Sequence, residues 1–247
     1  MKTLILSKLA AISLIAVTGF ASAGVINLKD SDSGTITTDL GAVTFAWDRY
    51  QPTGTGNLDP FLRIQNSGTE QGYNTSERPL DVKSDPFTRD VLISALVDHN
   101  SNGSYEFVLD VGEPGGNASS ISLDGLKLYS SSSPGQSGND VIGTLLWDLG
   151  ADNSVLLDAK RGGGPGNGNS DMLMSVQTSI IDSAPVGEEY FILWSQFSSA
   201  SSGFEEWSVI TSISPVPEPS TIALFGLGLL GVMAATRRRK ALESLQA

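Results

Sequence analysis

The residues best placed to do chemistry stand together at Asp98-His99-Asn100-Ser101-Asn102-Gly103-Ser104-Tyr105-Glu106. Asp98, Asn100, Asn102 and Glu106 put oxygen donors at the first, third, fifth and ninth positions of an EF-hand-like calcium loop. Gly103 fills the sixth, where such a loop must turn sharply. The twelfth position is Leu109 in place of the bidentate Glu, so the donor set is one acid short, and Asp110 or a remote carboxylate would have to complete it. Asn, Asp and Gly are also what a polar hairpin needs between Val91–Val97 and Tyr105–Val111. The segment is therefore read as a hairpin turn, with calcium the ion it would take as a metal site; no other cofactor is expected.

Other chemistry is limited by the parts available. The chain has a single histidine, His99, and no cysteine. A Ser-His-Asp triad would have to use that histidine, no Gly-x-Ser-x-Gly elbow is present, and a histidine zinc site lacks its second and third ligands. Disulfides and thiolate chemistry are excluded. The glycine-rich run Arg161 to Ser170 lacks the Gly-Lys-Ser/Thr ending of a phosphate-binding loop and reads as a surface loop. A glycoside hydrolase needs only two carboxylates across a sugar-sized gap, and Glu205-Glu206-Trp207 sets acids beside an aromatic ring. Neighbours on a strand point to opposite faces, however, so Glu205 shares its face with Trp207, Glu206 shares the other with Phe204, and one of these faces lies in the core. The domain is read as non-enzymatic; a secreted glycan hydrolase or lyase using paired carboxylates is the alternative.

These residues must be carried by strands. Between residues 24 and 214 helical periodicity is nearly absent, and short β-branched and aromatic runs alternate with Gly, Ser, Asn and Pro. The expected strands are Gly34–Asp39, Ala42–Trp47, Val91–Val97, Tyr105–Val111, Ile121–Ser130, Val141–Leu149, Met172–Ile181, Tyr190–Phe197 and Phe204–Ser212. The apolar phase flips across Gly125, which predicts a bulge. Gln51–Gly72, Ser130–Asn139 and Arg161–Ser170 are expected to be irregular. The fold class is all-β, an antiparallel sandwich of jelly-roll or immunoglobulin type, in one domain.

The net charge is −12 over 247 residues, and the basic residues gather at the ends. Residues 24 to 216 hold nine Lys or Arg against 25 Asp or Glu. A surface of that sign repels phosphate backbones, so nucleic acid is excluded as a partner, while divalent cations and uncharged glycans are compatible.

The ends are targeting segments. Lys2 and Lys8, the apolar run Leu9–Val17 and the small residues Ala21-Ser22-Ala23 make a secretory signal peptide over residues 1–23, cut by signal peptidase after Ala23. At the other end Val216-Pro217-Glu218-Pro219-Ser220 precede the apolar stretch Ile222–Ala235 and the cluster Arg237-Arg238-Arg239-Lys240. The prolines hold an extended backbone that a protease can grip. The apolar stretch is expected to form a transmembrane helix, and the basic cluster stops transfer on the cytoplasmic side, leaving residues 241–247 as a cytoplasmic tail. Gly226-Leu227-Gly228-Leu229-Leu230-Gly231 matches a dinucleotide fingerprint in spacing only, since no βαβ unit surrounds it.

The order of motif, apolar helix and basic cluster over residues 215–240 resembles the PEP-CTERM sorting tails recognised by exosortase in Gram-negative bacteria. The segments Leu109–Pro114 with Ile121–Asp124, and Gly203–Trp207, are similar to stretches in the extracellular regions of PEP-CTERM proteins. The resemblance implies transient anchoring in the inner membrane, cleavage within Val216–Ser220, and a final place at the cell surface or in the medium. It also implies hosts that make exopolysaccharide, a candidate partner for a structural, adhesive or glycan-contacting matrix protein.

Overall fold

A computed structural model describes residues 24–47, 58–83, 87–114, 119–161 and 170–210. The signal peptide, the sorting motif, the expected transmembrane helix and the basic cluster lie outside these residues. Thirteen strands are described: β1 Val25–Asn27, β2 Ser33–Thr38, β3 Gly41–Ala46, β4 Leu58–Ile64, β5 Ser67–Tyr73, β6 Val91–Leu92, β7 Ser104–Val111, β8 Ser120–Ser131, β9 Thr144–Asp148, β10 Ser154–Asp158, β11 Met172–Gln177, β12 Tyr190–Ser201 and β13 Glu205–Ile210. Among the described residues helix is limited to a 3-10 turn at Ile93–Ala95 and one short helix, α1, at Thr178–Ile181.

One sheet runs β1-β10-β8-β12-β5, with β9 also on β8 and β6 also on β12; the other runs β2-β3-β11-β7-β13-β4. Only the β1–β10 pairing is parallel among the described strands. The period-two side chains of both sheets meet in one core. Phe107 of the second sheet stacks on Phe191 of the first with ring centroids 5.1 Å apart, and Phe61 meets Phe107 edge-on at 6.1 Å. Two indoles tie the layers by hydrogen bonds: Trp207 Nε1 donates to Ser195 Oγ at 3.1 Å, and Trp147 Nε1 donates to the Gly41 carbonyl at 3.2 Å. Such bonds satisfy the N–H that burial of a tryptophan would otherwise strand.

Several sequence expectations need correction. Gln51–Gly72, expected to be irregular, contains β4 and all but the last residue of β5. Both are edge strands, and an edge strand tolerates Pro60 in β4 and the Ser, Gly, Glu and Gln content of β5, which hides the apolar alternation. Strands β1 and β10 were missed because three- and five-residue runs carry too little pattern. Val91–Val97 is a strand only over Val91–Leu92, and Met172–Ile181 leaves the sheet after Gln177 to form α1. The expected bulge is present: pairing along β8 and β12 passes from Gly125↔Gln196 to Leu123↔Phe197, leaving Asp124 as the extra residue.

Candidate functional site

The most unusual grouping lies between the sheets. Glu70 stands on β5 opposite Phe197, Glu205 opens β13 between Ile64 and Val111, and Glu113 follows the end of β7. All three are fully buried, each at 0% exposure. Their positions follow from local backbone geometry. A Cβ on Gly203 would come within 2.6 Å of the Gly112 carbonyl, so only glycine lets this turn lie against Gly112–Glu113. With the turn seated, Gly112 N–H donates to the Phe204 carbonyl at 2.7 Å and Ser201 N–H donates to Glu113 Oε1 at 2.7 Å. Asn66 N–H donates to Glu70 Oε2 at 2.6 Å.

The remaining oxygens lack such donors. Glu70 Oε1, Glu113 Oε2 and the Glu205 oxygens have no donor from other side chains; the proton held by Glu205 is shared with the Glu70 and Glu113 carboxyls. What faces Glu205 instead is the carboxyl groups of Glu70 and Glu113. Burial, followed by the proximity of Glu70 and then Glu113, pushes the Glu205 carboxyl up to about 11. Burial also raises Glu70, against the lowering pull of hydrogen bonds from the Glu205 carboxyl and the Asn66 amide, and Glu113, against those from the Ser201 amide and the Glu205 carboxyl. The carboxyls run as a row through Glu205; among the described residues no group of three or more His, Cys, Asp or Glu side chains is placed to hold a metal ion. On β4, Arg63 pairs instead with Glu206 on the outward side of β13, with its guanidinium 4.2 Å from the centroid of Phe87 and 5.0 Å from that of Phe204.

A second grouping lies on the outer face of the first sheet. Trp194 of β12 is opposite Lys127 of β8 and next to the bulge at Gly125. A Cβ on Gly125 would stand 2.8 Å from the indole, so this glycine makes room for the ring against the sheet. Lys127 Nζ lies 5.5 Å from the indole centroid and 3.8 Å from Asp148 Oδ2. Gln71 and Gln196, paired across β5 and β12, continue the same polar, half-exposed face. The arrangement is a half-buried indole with Lys127 over its ring, rimmed by amides and one ion pair.

The Asp98 loop closes on itself. Asp98 accepts the amides of Asn102 at 3.1 Å and Gly103 at 2.8 Å, while Asn100 Nδ2 and Asn102 Nδ2 donate to Glu106 at 2.8 and 3.3 Å. The four expected ligands are thus brought together, but by mutual hydrogen bonds of a turn, with the amide nitrogens aimed at Glu106. His99 is half-buried. The expected split of faces on β13 is correct: Glu205 and Trp207 point inward and Glu206 outward. A cavity of about 460 Å³ is lined by Leu92, Ile93, Ile181, Asp182, Glu188 and Glu189, among others. Two of its acids are engaged: Tyr105 Oη donates to Asp182 at 2.9 Å, and Ser130 and Thr144 hydroxyls hold the Glu188 carboxyl below its usual range.

Sequence reasoning missed Glu70, because its strand was missed, and Glu113, which has no strand pattern of its own. The available signal was parity: an acid at Glu205, in step with Trp207 and Val209, occupies a position that the core should fill with an apolar side chain.

Comparison with known proteins decides the C-terminus. Residues 215–240 match the PEP-CTERM protein-sorting motif. The chain therefore carries the tail of an exported protein that exosortase processes, with membrane-anchored transit before it reaches the cell surface. No curated protein and no solved structure matches the chain.

Proposed function

We propose that this PEP-CTERM protein is a cell-surface or matrix component whose β-sandwich contacts glycan through the Trp194 face and does not cleave it. The seating of the Trp194 ring over Gly125 is the observation that carries the reading. An indole laid flat on a sheet offers an apolar face to the C–H side of a pyranose, and the surrounding amides and ion pair offer partners to its hydroxyls. The carboxyls that converge, Glu70, Glu113 and Glu205, are sealed from any substrate, which favours binding over hydrolysis. In this reading the exopolysaccharide of a Gram-negative host is the glycan.

Signal-peptide cleavage after Ala23 belongs to the same reading. Gly24 N–H already donates to Asn153 Oδ1 at 2.8 Å, so the freed ammonium would meet a ready acceptor.

The test is co-sedimentation of the full chain with host exopolysaccharide. Trp194→Ala is expected to weaken binding at least tenfold, about 1.4 kcal/mol, with the polymer length unchanged. Shortening of the polymer, or unchanged binding by a folded Trp194→Ala protein, would overturn the proposal.

A further inference from the structure

We infer that the outer edge of β2 is a self-association edge, where a second copy of this chain adds its own β2 in antiparallel register. The pairing joins the two copies of the six-stranded sheet into one, and it lies away from the Trp194 face, which belongs to the other sheet.

The two margins of the sandwich are treated differently. At one, the chain around Asp81, Lys83 and Arg89 covers β4 and β5. Lys83 N–H donates to the Arg63 carbonyl at 3.0 Å, Arg89 N–H to the Phe61 carbonyl at 3.1 Å, and Asp81 N–H to the Gln71 carbonyl at 3.1 Å. Thr88 Oγ1 accepts the Arg63 N–H at 3.0 Å. At the other margin β2 ends its sheet and pairs only with β3. Among the described residues no other segment hydrogen-bonds to its outer side. Ser33–Thr38 also lacks Lys, Pro and a bulge, the usual means of keeping edge strands apart.

Register shows which groups this edge offers. Trp47 N–H donates to the Asp32 carbonyl at 2.8 Å, which makes that pair a hydrogen-bonded one. By alternation Gly34↔Phe45 and Ile36↔Val43 are hydrogen-bonded pairs as well, so Ser33, Thr35 and Thr37 turn their N–H and C=O groups away from β3. The 2.9 Å contact between the Thr35 and Thr44 hydroxyls agrees, because side chains come closest in a non-hydrogen-bonded pair.

This set is complementary to itself. With a two-fold axis at Thr35, Thr35 faces its own copy and Ser33 faces Thr37 of the second copy, each pair exchanging both backbone bonds. Their exposed hydroxyls extend the polar row that already runs Ser175↔Thr44↔Thr35 across the sheet. Charge favours the same partner. Residues 24 to 216 hold nine Lys or Arg against 25 Asp or Glu, yet Ser33–Thr38 carries no charge, so two copies can approach here without facing carboxylates. In this register Asp32 and Asp39 lie opposite Thr38 and Ser31 of the second copy, and Asp32 is already paired with Arg161 at 2.8 Å. A slip of one residue would lose the hydrogen bonds and set Asp32 against Asp39. Because the β4 margin of the same sheet is covered, pairing stops at two copies. A dimer carries two Trp194 faces and, on the glycan reading, grips polymer bivalently; the pairing itself does not rest on that reading.

The test measures the mass of the full chain in detergent by analytical ultracentrifugation over a concentration series, where a concentration-dependent dimer is expected. Thr35→Lys sets like charges opposite each other, and Thr35→Pro removes an outward N–H that the sheet itself does not use. Each is expected to weaken the dimer about tenfold or more with the far-UV circular dichroism unchanged. Gly226, Gly228 and Gly231 of the apolar tail permit helix association on their own, so a second readout is specific to the edge. The chain has no cysteine, and Thr35→Cys supplies a single thiol. Facing Cα atoms in such a pair stand about 5.5 Å apart, within disulfide reach. Mild oxidation is expected to cross-link Thr35→Cys about tenfold faster than Ser67→Cys, an exposed position on β5 at the other margin. An unmutated chain that stays monomeric throughout the series overturns the inference. So does an undiminished dimer in either folded Thr35 variant, or equal cross-linking of the two cysteine variants.

Discussion

The protein should lose stability as the pH rises from 5 to 8, opposite to the usual behaviour of a domain with paired carboxylates. Glu205 is fully buried, and in the folded state its carboxyl is raised far above its ordinary value of 4.5. The native state therefore keeps a proton that the unfolded chain releases. For such a group the stabilisation is complete below the unfolded pKa and disappears as pH climbs toward the folded one. Each pH unit above that lower limit costs about 1.4 kcal/mol per retained proton. Across pH 5 to 8 Glu205 alone accounts for about 4 kcal/mol, a large share of the 5–15 kcal/mol typical of a domain. The corresponding fall in melting temperature is on the order of 10 °C. Glu70 and Glu113 are raised as well and steepen the trend. The assay is thermal unfolding at constant ionic strength, pH 5 to 8, for the unmutated chain and Glu205→Gln. The amide cannot ionise, so the variant should lose about one proton from the slope and become relatively more stable at pH 8. A flat profile, or the same slope in both proteins, would refute the buried-acid argument.

Three further outcomes are expected. Intact mass of native protein from the surface and the medium should give a chain starting at Gly24 and ending within Val216–Ser220; retention of Ile222–Lys240 would contradict processing. Asn74 is fully buried and pairs with the Phe191 carbonyl at 3.0 Å and the Leu193 amide at 2.6 Å. Asn74→Ala should therefore cost about 2–4 kcal/mol by leaving both backbone groups unpaired, read from urea unfolding. A Cβ at Gly143 would lie 2.1 Å from the Ser130 carbonyl oxygen, while at Gly138 the nearest atom is 3.5 Å away. Gly143→Ala should cost about 1–3 kcal/mol and Gly138→Ala less than about 0.5 kcal/mol in the same assay.

How much of this could be read from sequence depends on where burial left a periodic trace. Strands such as β7 and β11, with Phe107 and Leu109 or Met172, Met174 and Val176 facing the core, announced themselves by alternation. The bulge at Gly125 showed as a change of phase. Strand β5 did not, because its inward positions are Glu70 and Gly72, one charged and one without a side chain, with Val82 covering the gap at Gly72. The Trp194 face was equally hidden: its meaning lies in a glycine on another strand, and pairing between β8 and β12 is not written in either segment alone. The sorting tail was fully legible, since its chemistry is a linear order of motif, apolar run and basic stop. The interior acids were half legible. Glu205 was put on the face of Trp207, but which face of β13 turns inward was left open, and nothing in the sequence brought Glu70 and Glu113 to it.

The last described strand has a mechanical meaning. β13 ends at Ile210, shortly before the sorting segment that begins at residue 215, and it is hydrogen-bonded on both sides, to β7 and to β4. While the tail is held in the membrane, drag on the domain reaches the sandwich through this strand. Extracting it means breaking two ladders together, together with the Trp207–Ser195 bond to the opposite sheet. The leash is thus fastened to an inner slat of the fold and not to its margin, so shear in flowing medium loads the sheet as a whole before it can peel any edge away.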